Sequence, residues 1–477
     1  MTPGGGVPEA GHEHPTLDDP LVASLSESVG GPVGEHAGRH PWWTPVRVLL
    51  AITALVLALG LVQKTSCYAD SWQDGEARYT HMCYSDLPYL YTGRGFAELE
   101  WPYGDDAEVR SRYPVMEYPV LISYWAWGTG WATHWLSGSP DITPRYAVGT
   151  DRLNTVDGVL AESRTYVAVN AVGLAALTLL AVWLLAGVHR RRPWDAALVA
   201  ASPALLLTAW VNWDLLALVF VAGALWAWSR DRPVLTGVMV GLGIAAKLYP
   251  LLLLGPLLVI CLRDRRLVDL GRVVTAAAVT WLVVDLPGFV SGPEQWAHFW
   301  TFNSDRGADL GSLWLVLDQA TDGATTASAV NLWSLVVLAA WCAGVLALGL
   351  LAPETPRFAQ LAFLVLVGFL LVNKVYSPQY VLWLLPLAAL ARPRWRDHLV
   401  WQGTEIFYFA MVWWYLGGDL EPTAGGDAGL YWAAIVLRVL GELYLAAIVI
   451  RDVLKPWHDP VRRTEAGLSR QLVVSRS

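Results

Sequence analysis

The chain has 477 residues, of which 55% are hydrophobic and only 16% charged, with a mean hydropathy of +0.40 and a formal net charge of −8. Soluble domains carry about a quarter charged residues, so this composition excludes them, together with a disordered chain, a coiled coil or a disulfide scaffold; the acidic balance argues against a nucleic-acid binder. Apolar residues come in runs, and the 27 Trp and 18 Tyr suit the headgroup layers of a bilayer. The expected fold class is an all-α polytopic membrane protein.

Residues 1–46 are rich in Gly, Pro, Ser and acidic residues, with Arg39 the only Lys or Arg. They lack the positive start and cleavage site of a signal peptide and predict a disordered cytoplasmic tail. The run 47–63, preceded by Trp42 and Trp43, predicts a first span. A segment of mixed character, 64–163, follows. Within it Cys67 and Cys83 lie sixteen positions apart; if the segment faces outward, pairing them would contribute about 3 kcal/mol on the chain-entropy model. Cys261 and Cys342 sit in apolar runs and read as small buried hydrophobes.

From 165 onward, apolar runs alternate with arginine clusters at 190–192, 230/232, 263–272, 357 and 392–396. The positive-inside rule places all five in the cytoplasm, so each stretch between them crosses an even number of times. The stretches 195–229, 233–262 and 358–391 break at Val211-Asn-Trp-Asp214, Lys247-Leu-Tyr-Pro250 and Asn373-Lys-Val-Tyr-Ser-Pro378. They read as hairpins whose short arms pack inside the bundle. The same parity leaves 164–188 as the second span, lays 118–136 along the outer surface and adds spans near 270–287, 329–352, 398–416 and 430–451. The expectation is twelve helices over 47–452, outer loops at 64–163 and 288–328, and a cytoplasmic tail at 453–477.

Polar groups at membrane depth are candidates for function. Lys247, Lys374 and Arg306 are the cations of the short outer turns and the 288–328 loop; Asp214 stands at a hairpin tip, and Asp86 and Glu117 in the first outer loop. Their convergence suggests an anionic, lipid-linked substrate and a general base. Against this, a Lys at a helix end can snorkel to the headgroups, Asp214 can cap its helix, and Asp86 can be an ordinary loop carboxylate. Two lysines each beside a Tyr at a hairpin tip favour the substrate reading, with Tyr249, Tyr376 and Gln379 as further donors.

Tyr84-Ser-Asp86, Met116-Glu-Tyr-Pro119, Ala201-Ser-Pro203 with Asn212-Trp-Asp214, Gly243-Ile-Ala-Ala-Lys-Leu-Tyr-Pro250 and Lys374-Val-Tyr-Ser-Pro-Gln-Tyr380 occur in an order and spacing that resembles glycosyltransferase family 87. The likeness covers about 47–452 and is greatest to an actinobacterial membrane-protein branch of that family. It implies the C-type glycosyltransferase fold, with Asp86 as general base and Lys247, Lys374 and nearby polar groups on a lipid phosphate. It further implies an inverting, metal-independent and cofactor-free transfer of a sugar from a polyprenyl-phosphate donor to a cell-envelope lipid or glycan acceptor at the outer face of the cell membrane. Mannose is the expected sugar and arabinofuranose the alternative. Pro119-Val120 stands where family members often have two prolines. A transporter or flippase of lipid-linked sugars is the main rival, and such proteins often show repeats and midplane polar sites; here the polar residues gather at helix ends.

Overall fold

The computed structural model describes residues 19–29, 42–421 and 428–464. Every regular element among the described residues is helical. Among the described residues, five helices are long and apolar enough to cross a membrane: Pro45–Gln63, Val159–Ala186, Leu267–Ser291, Ala327–Leu351 and Gly429–Leu454. The chain is therefore a membrane protein.

The shorter apolar helices occupy the middle of the bundle. Val381–Ala391 buries all eleven of its residues and Phe358–Val372 buries twelve of fifteen. In contrast, only three residues of Ala327–Leu351 are buried. A helix that is apolar all round and enclosed by protein need not match the bilayer thickness, so short arms are sufficient there. Pro233–Ala246 packs closely on Leu267–Ser291 because a Cβ at Gly237 or Gly241 would collide with the carbonyls of Val273 and Ala277.

Two expectations are corrected. The 195–210 arm is not one helix but a turn at Pro193–Ala196 followed by Ala197–Ala200 and Pro203–Thr208. Pro203 cannot continue a helical ladder. Ser202 caps the new start, accepting from the Leu205 amide at 3.1 Å, while Gln402 Oε1 accepts from Ser202 Oγ at 2.6 Å and the Ala204 amide at 3.0 Å. The 1–46 stretch, expected to be disordered, holds a helix at Pro20–Val29. Asp19 caps it and also accepts from the Trp395 amide at 2.9 Å. At the other end of the chain, the start of the 453–477 stretch is docked, with Arg357 gripping Asp459 at 2.8 and 2.9 Å. The remaining tail residues, 1–18, 30–41 and 465–477, lie outside the described residues.

Both expected loops are folded. The 288–328 loop carries the helices Pro293–Asp305 and Leu313–Ala320. The 64–163 segment includes Asp86–Gly93 and Val120–Leu136 and is fixed by two ion pairs, the buried Arg145–Glu162 at 2.5 Å and the partly buried Arg112–Glu98 at 2.5 Å. A disulfide joins Cys67 to Cys83 with 5.8 Å between their Cα atoms.

Candidate active site

The helices define two ends. Pro233–Ala246 starts beside Arg232 and finishes at Lys247; Phe358–Val372 starts beside Arg357 and leads to Lys374. The end remote from the arginines contains a cavity of about 610 Å³. Its lining brings together Asp86, Glu117, Lys247, Tyr249, Arg306, Lys374 and Gln379, residues that lie as much as 293 positions apart in the chain.

Asp86 opens the Asp86–Gly93 helix. Ser85 caps that helix, and the Asp86 amide donates to Val211 O at 2.7 Å, tying this loop to the tip of the next hairpin. The preceding segment is held by the end of the Pro45–Gln63 helix: Lys64 Nζ donates to Tyr84 O at 3.0 Å and Gln63 to Met82 O at 2.7 Å. Burial pushes the Lys64 ammonium down to about 7. One Asp86 carboxylate oxygen accepts from the Tyr118 hydroxyl at 2.8 Å, and Asn212 donates to that same hydroxyl at 3.3 Å. Burial raises the pKa of Asp86 above the ordinary carboxylate value, against the hydrogen bonds from Tyr118 and Tyr84 that lower it. A carboxylate so placed is a stronger base than one in water.

The cations differ in what they already hold. Lys247 Nζ pairs with Asp214 at 2.8 Å and lies 4.4 Å over the Tyr118 ring. Asp214 is fully buried beneath it and does not line the cavity, so it acts through Lys247 and neutralises much of its charge. Arg306 pairs with Asp309 at 2.5 Å at a half-exposed rim. Lys374 donates to Asn331 Oδ1 at 2.7 Å and Ser304 O at 3.3 Å, both neutral, and no carboxylate pairs with it among the described residues. Partial burial lowers its pKa. This is the cation most available to an anion.

Glu117 is bound by Arg94 through two nitrogens, at 2.9 and 3.2 Å. Tyr249 stacks on Trp383 with centroids 4.6 Å apart, and its hydroxyl is buried without a partner, as is Gln379 Oε1. Tyr376 is a correction. Its hydroxyl donates to Glu405 at 3.0 Å and its ring lies 3.6 Å beneath the Arg438 guanidinium, so it faces the protein interior and is absent from the cavity lining.

Sequence reasoning passed over Tyr118, although it stands inside Met116-Glu-Tyr-Pro119, and Arg94, one of several cations in a long loop. It also missed the aromatic lining of Tyr79, Tyr84, Phe299, Trp300 and Trp413. In a chain with 27 Trp, no local signal separates these rings from membrane anchors.

The glycosyltransferase family 87 model matches residues 158–378. No curated protein matches the chain. The matched stretch includes Asp214, Lys247, Arg306 and Lys374; Asp86 and Glu117 precede it and reach the same cavity through the fold. A multi-helix membrane bundle, a cavity at its helix ends and this match, which spans under half of the chain, make the chain similar to glycosyltransferase family 87 and support a glycosyltransferase activity.

Proposed function

We propose that the chain transfers mannose from a polyprenyl-phosphate donor to a lipid or glycan acceptor of the cell envelope, at the outer face of the membrane and with inversion. The observation that carries this reading is the pairing, in one cavity, of a half-buried carboxylate at Asp86 with a cation at Lys374 that holds only neutral partners. In this reading the twelve crossings follow the sequence parity, both termini are cytoplasmic, and the cavity opens outward.

Asp86 takes the acceptor proton as the hydroxyl attacks the anomeric carbon. Tyr118 holds the carboxylate in place, and Lys247 above the Tyr118 ring stabilises the negative charge. The departing phosphate gathers charge, which Lys374 and Arg306 neutralise in a water-poor site. Tyr249 and Gln379 supply hydrogen bonds to the phosphate or the sugar. Because the donor arrives on a lipid phosphate, side-chain cations suffice for the leaving group and no nucleotide site is needed. A single displacement turns a β-linked mannosyl phosphate into an α-mannoside.

The test is a transfer assay on the purified chain with radiolabelled polyprenyl-phosphate mannose and, separately, polyprenyl-phosphate arabinofuranose on cell-envelope acceptors. Mannosyl transfer that disappears in Asp86→Asn supports the reading. Transfer of arabinofuranose alone replaces the sugar, and turnover in the Asn variant at the normal rate removes Asp86 from the base role.

A further inference from the structure

The arginine end of the bundle holds two kinds of guanidinium group. Several are taken up by carboxylates: Arg192 by Asp195 at 3.0 Å, Arg266 by Asp231 at 3.1 Å and Asp269 at 3.0 Å, and Arg357 by Asp459 at 2.8 Å. Arg190, Arg230 and Arg232 form another group, and no carboxylate pairs with them among the described residues. The acids nearest to them in the chain are already committed, Asp195 to Arg192 and His189, and Asp231 to Arg266.

An aromatic shelf lies beside this second group. Arg230 donates to Gly187 O at 2.6 Å, at the end of the Val159–Ala186 helix, and its guanidinium is 5.7 Å from the Trp226 centroid. Arg232 is 5.5 Å from the same ring. Gly187 makes room for it, since a Cβ there would stand 3.0 Å from the indole. Trp226 meets Trp183 at 6.3 Å, and Trp183 is 48% exposed on a helix that can span the membrane. An exposed Trp one turn from the end of such a helix belongs at the headgroup level, facing lipid.

Arg190 extends the cluster. It lines a cavity of about 220 Å³ with His189, Arg191, Arg192 and Thr464. Burial lowers the pKa of Arg230, and the neighbouring charges of Arg190 and Arg232 lower it further. Like charges held together without a counter-ion repel, and an anion among them removes that cost. The positive-inside rule accounts for arginines at this end. It does not require them to gather, without a carboxylate, beside a lipid-facing pair of tryptophans.

We propose that Arg190, Arg230 and Arg232, beside Trp183 and Trp226, form a binding site for the phosphate of an anionic membrane phospholipid. Guanidinium groups bind phosphate oxygens through paired N–H donors, and basic pockets at helix ends recognise charged headgroups in this way. The phosphate occupies the cationic rim, and the acyl chains run along the face of Trp183. The site lies at the opposite end of the bundle from the Asp86 cavity and does not depend on the transfer reaction.

Native mass spectrometry of the full chain, titrated in neutral detergent, tests this with phosphatidylglycerol. Phosphatidylcholine of the same chains is the zwitterionic control, and inorganic phosphate is the free-anion arm. Phosphatidylglycerol is expected to bind more tightly than phosphatidylcholine. Each arginine near a membrane surface contributes about fivefold, so Arg190→Gln/Arg232→Gln should weaken phosphatidylglycerol by about ten- to thirtyfold. Both residues are exposed, so the fold should hold. Arg190→Lys/Arg232→Lys keeps the charge and should retain most of the binding. Arg265→Gln/Lys455→Gln removes the same charge from other exposed positions at this end and should change the affinity less than about twofold. Equal affinity for the two lipids, or normal binding in Arg190→Gln/Arg232→Gln, overturns the site. An equal loss in Arg265→Gln/Lys455→Gln also overturns it, reducing it to diffuse attraction. Displacement of phosphatidylglycerol by inorganic phosphate at matched concentration keeps the anion site and overturns the lipid as its ligand.

Discussion

The two ends of the bundle treat buried charge in opposite ways. At the arginine end, Arg392 meets Asp397 at 2.9 Å, Asp452 at 2.9 Å and His458 O at 3.0 Å. Arg357 meets Asp459 twice and the carbonyls of Leu390 and Ala391. These guanidinium groups are used up by protein partners, and the cluster pins the C-terminal segment to the bundle. At the cavity end, Lys374 has only neutral oxygens, and Tyr249 Oη, Gln379 Oε1 and Trp413 Nε1 are buried without partners. Unpaired polar groups in a low dielectric are costly. Gathered around one cavity, they mark the place where a ligand completes the hydrogen bonding, whereas a saturated cluster marks a joint.

Substitutions at the two ends should therefore fail differently. The largest effect is expected from Asp86→Asn, a fall of about 10²–10⁴-fold in transfer rate with polyprenyl-phosphate affinity retained; single-turnover rates and a binding titration separate the two. The pH profile sharpens this. Asp86 works as the carboxylate and burial raises its pKa, so kcat/KM should be lost as pH falls through a value above the usual carboxylate range.

Next comes Arg392→Met, which leaves Asp397 and Asp452 without their shared cation and should cost about 3–5 kcal/mol of stability. Thermal unfolding reads it, and polyprenyl-phosphate affinity below the transition should be unchanged. A selective loss of affinity there would break the contrast between the ends. Lys374→Met should do the reverse. Charge-assisted bonds contribute about 1.5–3 kcal/mol, so affinity falls by one to two powers of ten while the unfolding temperature holds. Unchanged affinity would return Lys374 to a headgroup-facing role. The smallest effect is expected from Arg306→Gln, a half-exposed residue already paired with Asp309; a loss below about 1 kcal/mol in binding is the expected titration result.

Much of this was legible in the sequence because it is local. Lys247 and Lys374 stand at breaks between apolar runs, and those break positions reappear as helix ends. What escaped was either long-range or a local signal left unread. Nothing near Lys247 announces that Asp214, on a neighbouring hairpin, takes up its charge. Tyr376 sits beside a site lysine, but Glu405 and Arg438 from later helices draw it inward. By contrast, Ser202-Pro203 and Asp19-Pro20 are ordinary helix-start signals; the first breaks an expected arm and the second begins a helix in an expected tail.

The loop that carries Lys374 also has an order of assembly written into it. Asp309 N donates to Lys374 O at 2.8 Å and Tyr376 N to Leu310 O at 2.8 Å, stitching that loop to the one after Arg306. Behind the stitch, Tyr408 holds Tyr376 O at 2.5 Å and Arg438 holds Gly311 O at 3.1 Å. Both supports come from two helices that follow these loops in the chain, Trp395–Leu416 and Gly429–Leu454. A ribosome delivers those helices after both loops that they support. Until they are in place, the rim that carries Lys374 has no backing.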